Sequence, residues 1–118
     1  MTTTGEPSRL HERLVTDHLI APEILPIEVA SALRGLNRGG ILSDERLARA
    51  ASDLPRLRVE LYPSLPLAPR VLDMRQNLSA YDAAYVVLAE VTRSALLTLD
   101  QRLARSAAAH CAVEVPSR

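Results

Sequence analysis

Leu78-Ser79-Ala80-Tyr81-Asp82-Ala83-Ala84-Tyr85-Val86-Val87-Leu88-Ala89 and, a few residues on, Ala95-Leu96-Leu97-Thr98-Leu99-Asp100 decide how this chain folds. The first segment opens with a serine and an acid three positions later, the arrangement that starts a helix, and continues as an almost wholly apolar helix. The second is a short continuous apolar run bounded by polar residues, which reads as a strand buried on both faces. A buried helix leading into a buried strand is the signature of a parallel sheet covered by helices. Asp100 directly follows the strand, so it falls at the carboxyl edge of the sheet, where open α/β folds build their sites.

The same periodicities extend outward. Pro7 to Val15 carries Leu10, Leu14 and Val15 at helical spacing, and His18 to Pro22 is a short apolar run stopped by proline, hence a strand. From Glu23 to Arg38 the residues Leu25, Val29, Ala32, Leu33 and Leu36 form the stripe of an amphipathic helix, which Gly39-Gly40 ends. Ser43 caps a further helix that reaches about Asp53 and carries Asp44 and Glu45 in its first turn. Leu57 to Leu61 alternates as a strand does, and a proline-rich connection leads to a helix from about Leu67 to Gln76. Ser79 to about Val91 is the next helix, Asp100 to Ala109 another, and Ala112 to Val115 a last strand. Strands separated by helices require crossover connections, so the expected fold is α/β with a mostly parallel sheet flanked by helices in three layers.

Composition narrows the class further. A chain of 118 residues is expected to form one domain over residues 1–118, with residues 1–6 disordered. Hydrophobic residues make up 47% but aromatics only 3%, with neither Phe nor Trp, so the core must be built from Leu, Val, Ile and Ala. The formal net charge is zero, and all fourteen basic residues are Arg. Bulk charge therefore offers no polyanion-binding surface, and any nucleic-acid contact must be local. Cys111 is alone, so no internal disulfide forms. No apolar run approaches 18 residues and no signal peptide is apparent, so a cytoplasmic protein without membrane contact is expected.

Three acids occupy positions that invite chemistry. Asp82 and Asp100 sit at helix starts, where capping explains each of them singly. Glu28 lies within the run Pro26-Ile27-Glu28-Val29-Ala30, on a helix face with small and apolar neighbours. A carboxylate in such surroundings must be paired, protonated or bound to a cation; a salt bridge to an Arg competes with the cation. Taken together, the three suit a hard divalent ion such as Mg²⁺, which takes carboxylate oxygens, waters and substrate phosphate oxygens. His11, His18, His110 and Cys111 lack zinc spacing, and neither a phosphate-binding glycine loop nor a nucleophilic serine elbow occurs.

The blocks Ala21 to Leu33, Leu78 to Ala89 and Leu96 to Ala104, in this order and spacing, resemble PIN-domain ribonucleases, most of all the VapC toxins of bacterial toxin–antitoxin pairs. The similarity runs from about Pro7 to the C-terminus. It implies a metal-dependent endoribonuclease in which Glu28, Asp82 and Asp100 are catalytic and hold Mg²⁺ or Mn²⁺ for the cleavage of RNA. It assigns Thr98 a supporting role beside the last acid, although a β-branched strand residue is the plainer reading. Arg102 and Arg105 are then candidate RNA contacts, or simply solvated charges, and Tyr81 either stacks on a base or packs beside its helix start. The resemblance further implies an RNA substrate, a homodimer and a VapB-like antitoxin, for which Val29, Leu33, Leu36, Ile41 and Leu42 form an apolar stripe if they are not ordinary core.

The resemblance breaks at one point. Members of the family open on a short apolar strand that delivers a further Asp, and Met1-Thr2-Thr3-Thr4-Gly5 matches neither. In the resembling fold that strand is central, so its neighbours are expected to lack a partner between them. Either the natural start lies upstream, or the chain is a degenerate member. The rival expectation is thus a catalytically inactive module that binds an antitoxin or dimerises without cutting RNA. A third is an α/β domain whose acids are only caps and salt bridges.

Overall fold

The computed structural model describes residues 17–116; the expected helix Pro7–Val15 and the expected disorder of residues 1–6 lie outside them. The chain enters through β1 (Leu19–Pro22), which ends on the fully buried Pro22. Helix α1 (Leu25–Arg38) begins two residues after Glu23, because Pro26 fits only at a helix start, where its missing N–H is not needed. Glu23 instead accepts the Ser64 N–H at 3.1 Å and ties two loops together. Gly40, at φ +79°, ends α1 as the glycine signal implied, with the Ile41 N–H returning to the Leu36 carbonyl at 2.9 Å.

Helix α2 (Asp44–Asp53) starts on Ser43, whose Oγ accepts the Arg46 N–H at 3.2 Å. Strand β2 (Val59–Tyr62) follows, one to two residues beyond the expected segment, and pairs in parallel with β1 in the register Leu19↔Val59 to Pro22↔Tyr62. The single helix expected over Leu67–Gln76 is shorter: a 3₁₀ turn at Leu65–Leu67 leads into α3 (Ala68–Asp73), and the chain then turns through Met74 and Arg75. The prolines at 66 and 69 are accepted because each lies in a first turn.

Helix α4 (Ala80–Thr92) is the centre of the molecule. Val86 and Val87 have no exposed surface, and Ala83, Ala84, Leu88 and Ala89 are buried with them. Leu67, Met74, Leu96 and Ala107 close around this helix. A core of small aliphatics allows close approach of helix and strand, as the lack of large aromatics required. The helix ends with Arg93 in the left-handed region at φ 55°, and the Ser94 N–H donates to the Ala89 carbonyl at 2.9 Å. This is a Schellman-type ending built on an arginine where glycine is usual, which the sequence did not signal.

Strand β3 (Leu96–Leu97) pairs in parallel with β4 (Val113–Glu114), joined by α5 (Gln101–Ala107). The expected strand Ala95–Leu99 is therefore reduced to two ladder residues. Leu96 is buried at 6% exposure, but Leu99 is 38% exposed, so burial on both faces does not hold along the run.

Every pairing is parallel and helices cover the strands, as the α/β reading required. The strands form two two-stranded sheets, and among the described residues nothing joins β1 to β3. A break between the two pairs is what the sequence reading expected. No helix is long and apolar enough to cross a membrane among the described residues.

Candidate active site

Glu28, Asp82, Thr98 and Asp100 come from four separate elements and line one open cleft of about 400 Å³, with Tyr85, Val29 and Leu97 among its other walls. The strand–helix order explains the convergence. Glu28 lies in the first turn of α1, just after β1; Asp82 lies in the first turn of α4; Thr98 and Asp100 follow β3. All four thus gather where the parallel strands end.

Each acid has a local anchor. The Asp82 N–H donates to Ser79 Oγ at 3.1 Å, so Ser79 caps α4 as expected. The reciprocal bond from the Asp82 carboxylate to the Ser79 N–H is not among the bonds of the described residues, which leaves that carboxylate to face the cleft. Asp100 does cap α5: its Oδ1 accepts the Arg102 N–H at 2.9 Å and the Leu103 N–H at 3.2 Å. Thr98 Oγ1 accepts the Asp100 N–H at 3.0 Å and so fixes the turn that presents the acid. Capping leaves Asp100 Oδ2 without a hydrogen bond among the described residues.

Glu28 is half-buried, and its partner is Tyr85, whose hydroxyl donates to Oε1 at 2.6 Å. Among the described residues Glu28 forms no ion pair with an arginine. Burial, the hydrogen bond to Glu28 and the neighbouring carboxylates push the Tyr85 phenol well above its ordinary range, so the hydroxyl stays a donor. Tyr85 was missed in the sequence, where Tyr81 drew the attention. The available signal was spacing: Asp82 and Tyr85 are three residues apart on a helix and so share a face.

Tyr81 is 63% exposed and does not line the cleft, so the packing alternative fails. Arg102 and Arg105 are exposed on α5 and also stand outside the cleft lining. Of the apolar stripe, Leu36 and Ile41 are 42% and 76% exposed while Val29, Leu33 and Leu42 are half-buried, so none of it is closed core.

The cleft therefore collects three carboxylates and the hydroxyls of Thr98 and Tyr85, with no arginine among the described residues of its walls. At neutral pH such a surface repels phosphate unless a cation intervenes. The donors are all oxygen, which is the ligand type of Mg²⁺ and Mn²⁺. Among the described residues no three His, Cys, Asp or Glu side chains are close enough to share one ion directly. An octahedral ion that keeps several waters needs only one or two carboxylates in direct contact, so the donor set and the room in the cleft suit it.

Comparison with known proteins settles the family. Residues 4–109 match the PIN domain model. This chain belongs to the PIN domain family. Within it, Ribonuclease VapC9 of Mycobacterium tuberculosis is 39% identical over 105 residues, covering 89% of this chain and 83% of the relative. Ribonuclease VapC1 of the same species is 36% identical over 96 residues, covering 80% and 72%. Ribonuclease VapC12 is 30% identical over 115 residues, covering 98% and 89%. The VapC-type resemblance seen in three short blocks thus extends over most of this PIN domain.

Proposed function

We propose that this PIN domain is a metal-dependent endoribonuclease of the VapC kind, cutting RNA at the cleft of Glu28, Asp82 and Asp100. The observation that carries the reading is the meeting of these three acids and Thr98 around one cleft at the ends of the strands. Glu28, Asp82 and Asp100 would hold Mg²⁺ or Mn²⁺, partly through water. When bound, such an ion supplies Lewis acidity, polarising a phosphate and acidifying a water.

The chain's own residues supply position. Tyr85 fixes the Glu28 carboxylate, and Thr98 with the start of α5 fixes Asp100. Arg102 and Arg105 contact RNA phosphates beside the cleft, which a chain of zero net charge must do locally. The protein acts in the cytoplasm as a single domain and as a homodimer. A VapB-like antitoxin silences it by seating an apolar segment against Leu36 and Ile41. In an assay with Mn²⁺, Asp82→Asn and Asp100→Asn are expected to reduce RNA cleavage at least a hundredfold, and cleavage that continues undiminished in EDTA would refute the reading.

A second reading rests on the spacing of the acids, since no three share an ion directly among the described residues. The domain would then bind an antitoxin without cutting RNA. Calorimetric titration with Mn²⁺ separates the two: saturable binding supports the nuclease, and its absence together with antitoxin binding supports the silent module.

A further inference from the structure

Leu57-Arg58-Val59-Glu60-Leu61 is complementary to its own reverse: aliphatic at both ends and the centre, with one charge of each sign between. Its last three residues open β2, whose sheet neighbour among the described residues is β1, so the other edge of β2 lies open there. The bonds to β1 fix what that edge presents. The Glu23 N–H donates to the Tyr62 carbonyl at 2.9 Å, so the backbone groups of Tyr62, and by alternation those of Glu60, face β1. The N–H and C=O of Val59 and Leu61 therefore face outward. So does the C=O of Leu57, whose N–H already donates to the Leu54 carbonyl at 3.2 Å. Pro63, at the next outward position, has no N–H, and the 3₁₀ turn at Leu54–Arg56 breaks the other end. Leu57 and Leu61 are 55% and 41% exposed, and Arg58 and Glu60 are exposed with them.

We propose that this edge is a self-association site, at which β2 of a second copy of this chain pairs antiparallel about a two-fold axis at Val59. In that register Val59 faces the partner's Val59, Leu57 the partner's Leu61, and Arg58 the partner's Glu60. The Val59 N–H donates to the C=O of the partner's Val59, and the Leu61 N–H to that of the partner's Leu57, each in both directions. The aliphatic side chains then line one face of the joined strands and the charges the other. Arg58 and the partner's Glu60 occupy a non-hydrogen-bonded position, where Cα atoms approach to about 4.5 Å and opposite charges stabilise the pair. Arg58 has no ion pair among the described residues, and Glu60 gives only Oε2 to His18, at 3.1 Å. Charges on an edge ordinarily deter pairing. Here a shift of the pairing by two residues sets Arg58 against its own copy or Glu60 against its own, so the charges admit one register and reject its neighbours. The contact stands apart from the nuclease chemistry, and its test reads the register itself.

The test oxidises the full chain carrying Cys111→Ala and Val59→Cys with copper phenanthroline in air. Hydrogen-bonded antiparallel positions bring Cα atoms to about 5.5 Å, within the span of a disulfide, so a linked dimer should appear on a gel run without reductant. Leu61→Cys in the same background stands four residues out of register with its copy, about 14 Å along the strand, and should link at least tenfold more slowly. Adding Glu60→Arg to the Val59→Cys chain sets arginine against the partner's Arg58 and should slow linking at least tenfold. Adding Arg58→Glu as well restores opposite charges and should return the rate to within about threefold of the start. Circular dichroism of each reduced variant checks that the fold is retained. No linking at position 59, or equal linking at 59 and 61, overturns the proposal without any charge variant. So does a rate that ignores Glu60→Arg, or that Arg58→Glu fails to restore in a folded chain. No arm measures RNA cleavage or metal binding, so failure here is distinct from failure of the nuclease reading.

Discussion

The Tyr85 hydroxyl and Glu28 Oε1 are 2.6 Å apart although 57 residues separate them in the chain. This bond joins α1 to α4 and holds a half-buried acid of the cleft in a defined orientation. Charge-assisted bonds of this kind contribute about 1.5–3 kcal/mol, more than a neutral pair. Tyr85→Phe removes the donor and little volume. We expect a urea-unfolding free energy lower by about 1–2 kcal/mol, at the low end because the acid is only half-buried. Affinity for Mn²⁺ should fall roughly tenfold, as when a partner behind a metal ligand is removed. Unchanged Mn²⁺ affinity in calorimetry would show that Glu28 does not take part in the site.

Asp100 has two duties that different substitutions separate. Asn retains a capping oxygen, whereas Ala does not. Asp100→Ala should lower stability by about 1 kcal/mol and Asp100→Asn by only a few tenths. Both should weaken Mn²⁺ binding, since both lose the charge. A loss of metal affinity confined to Asp100→Ala would mean that the helix cap, not the carboxylate, is what matters.

Arg93 adopts a left-handed conformation that costs a side chain about 1 kcal/mol and glycine almost nothing. Its side chain is exposed. Arg93→Gly should therefore raise the unfolding free energy by roughly 0.5–1 kcal/mol, readable as a higher urea midpoint with an unchanged slope. A lower midpoint would show that the arginine makes a stabilising contact that outweighs the backbone strain.

Arg70 and Glu90 tie α3 to α4 through two bonds of 2.9 and 3.0 Å. The hydrogen bond to Arg70 is the main cause that holds the Glu90 carboxyl below its ordinary range. A depressed folded-state value means that the pair stabilises the fold above the unfolded glutamate range, about pH 4.3, and that this contribution fades as pH falls through the folded value. The gap in urea midpoint between the parent chain and Glu90→Gln should be present at pH 7 and close below about pH 4. Both groups meet solvent, so the gap should also shrink in high salt.

Much of this was legible without coordinates because the signals are local. Ser43, Ser79 and Asp100 were identified as caps from the residue types that can return an oxygen to the first free N–H groups, and all three do so. The aliphatic run Ala83–Ala89 announced a buried helix, and it is the core. Less legible were the extents of elements governed by neighbours. Ala95–Leu99 has the composition of a strand, but only the two residues that β4 reaches form a ladder. The helix after Pro66 is short because its chain turns at Met74 to bury that side chain.

The sequence by itself determined the class of fold, the order of strands and helices, and the three acids and one hydroxyl at their ends, since periodicity, caps and the carboxyl-edge rule act within a few residues. Only the tertiary structure decided that these side chains share one cleft, that Glu28 is held by Tyr85, and that the strands of the described residues fall into two sheets. Those outcomes depend on which distant backbone edges and side chains meet, and that is set by packing around α4 rather than by any local pattern.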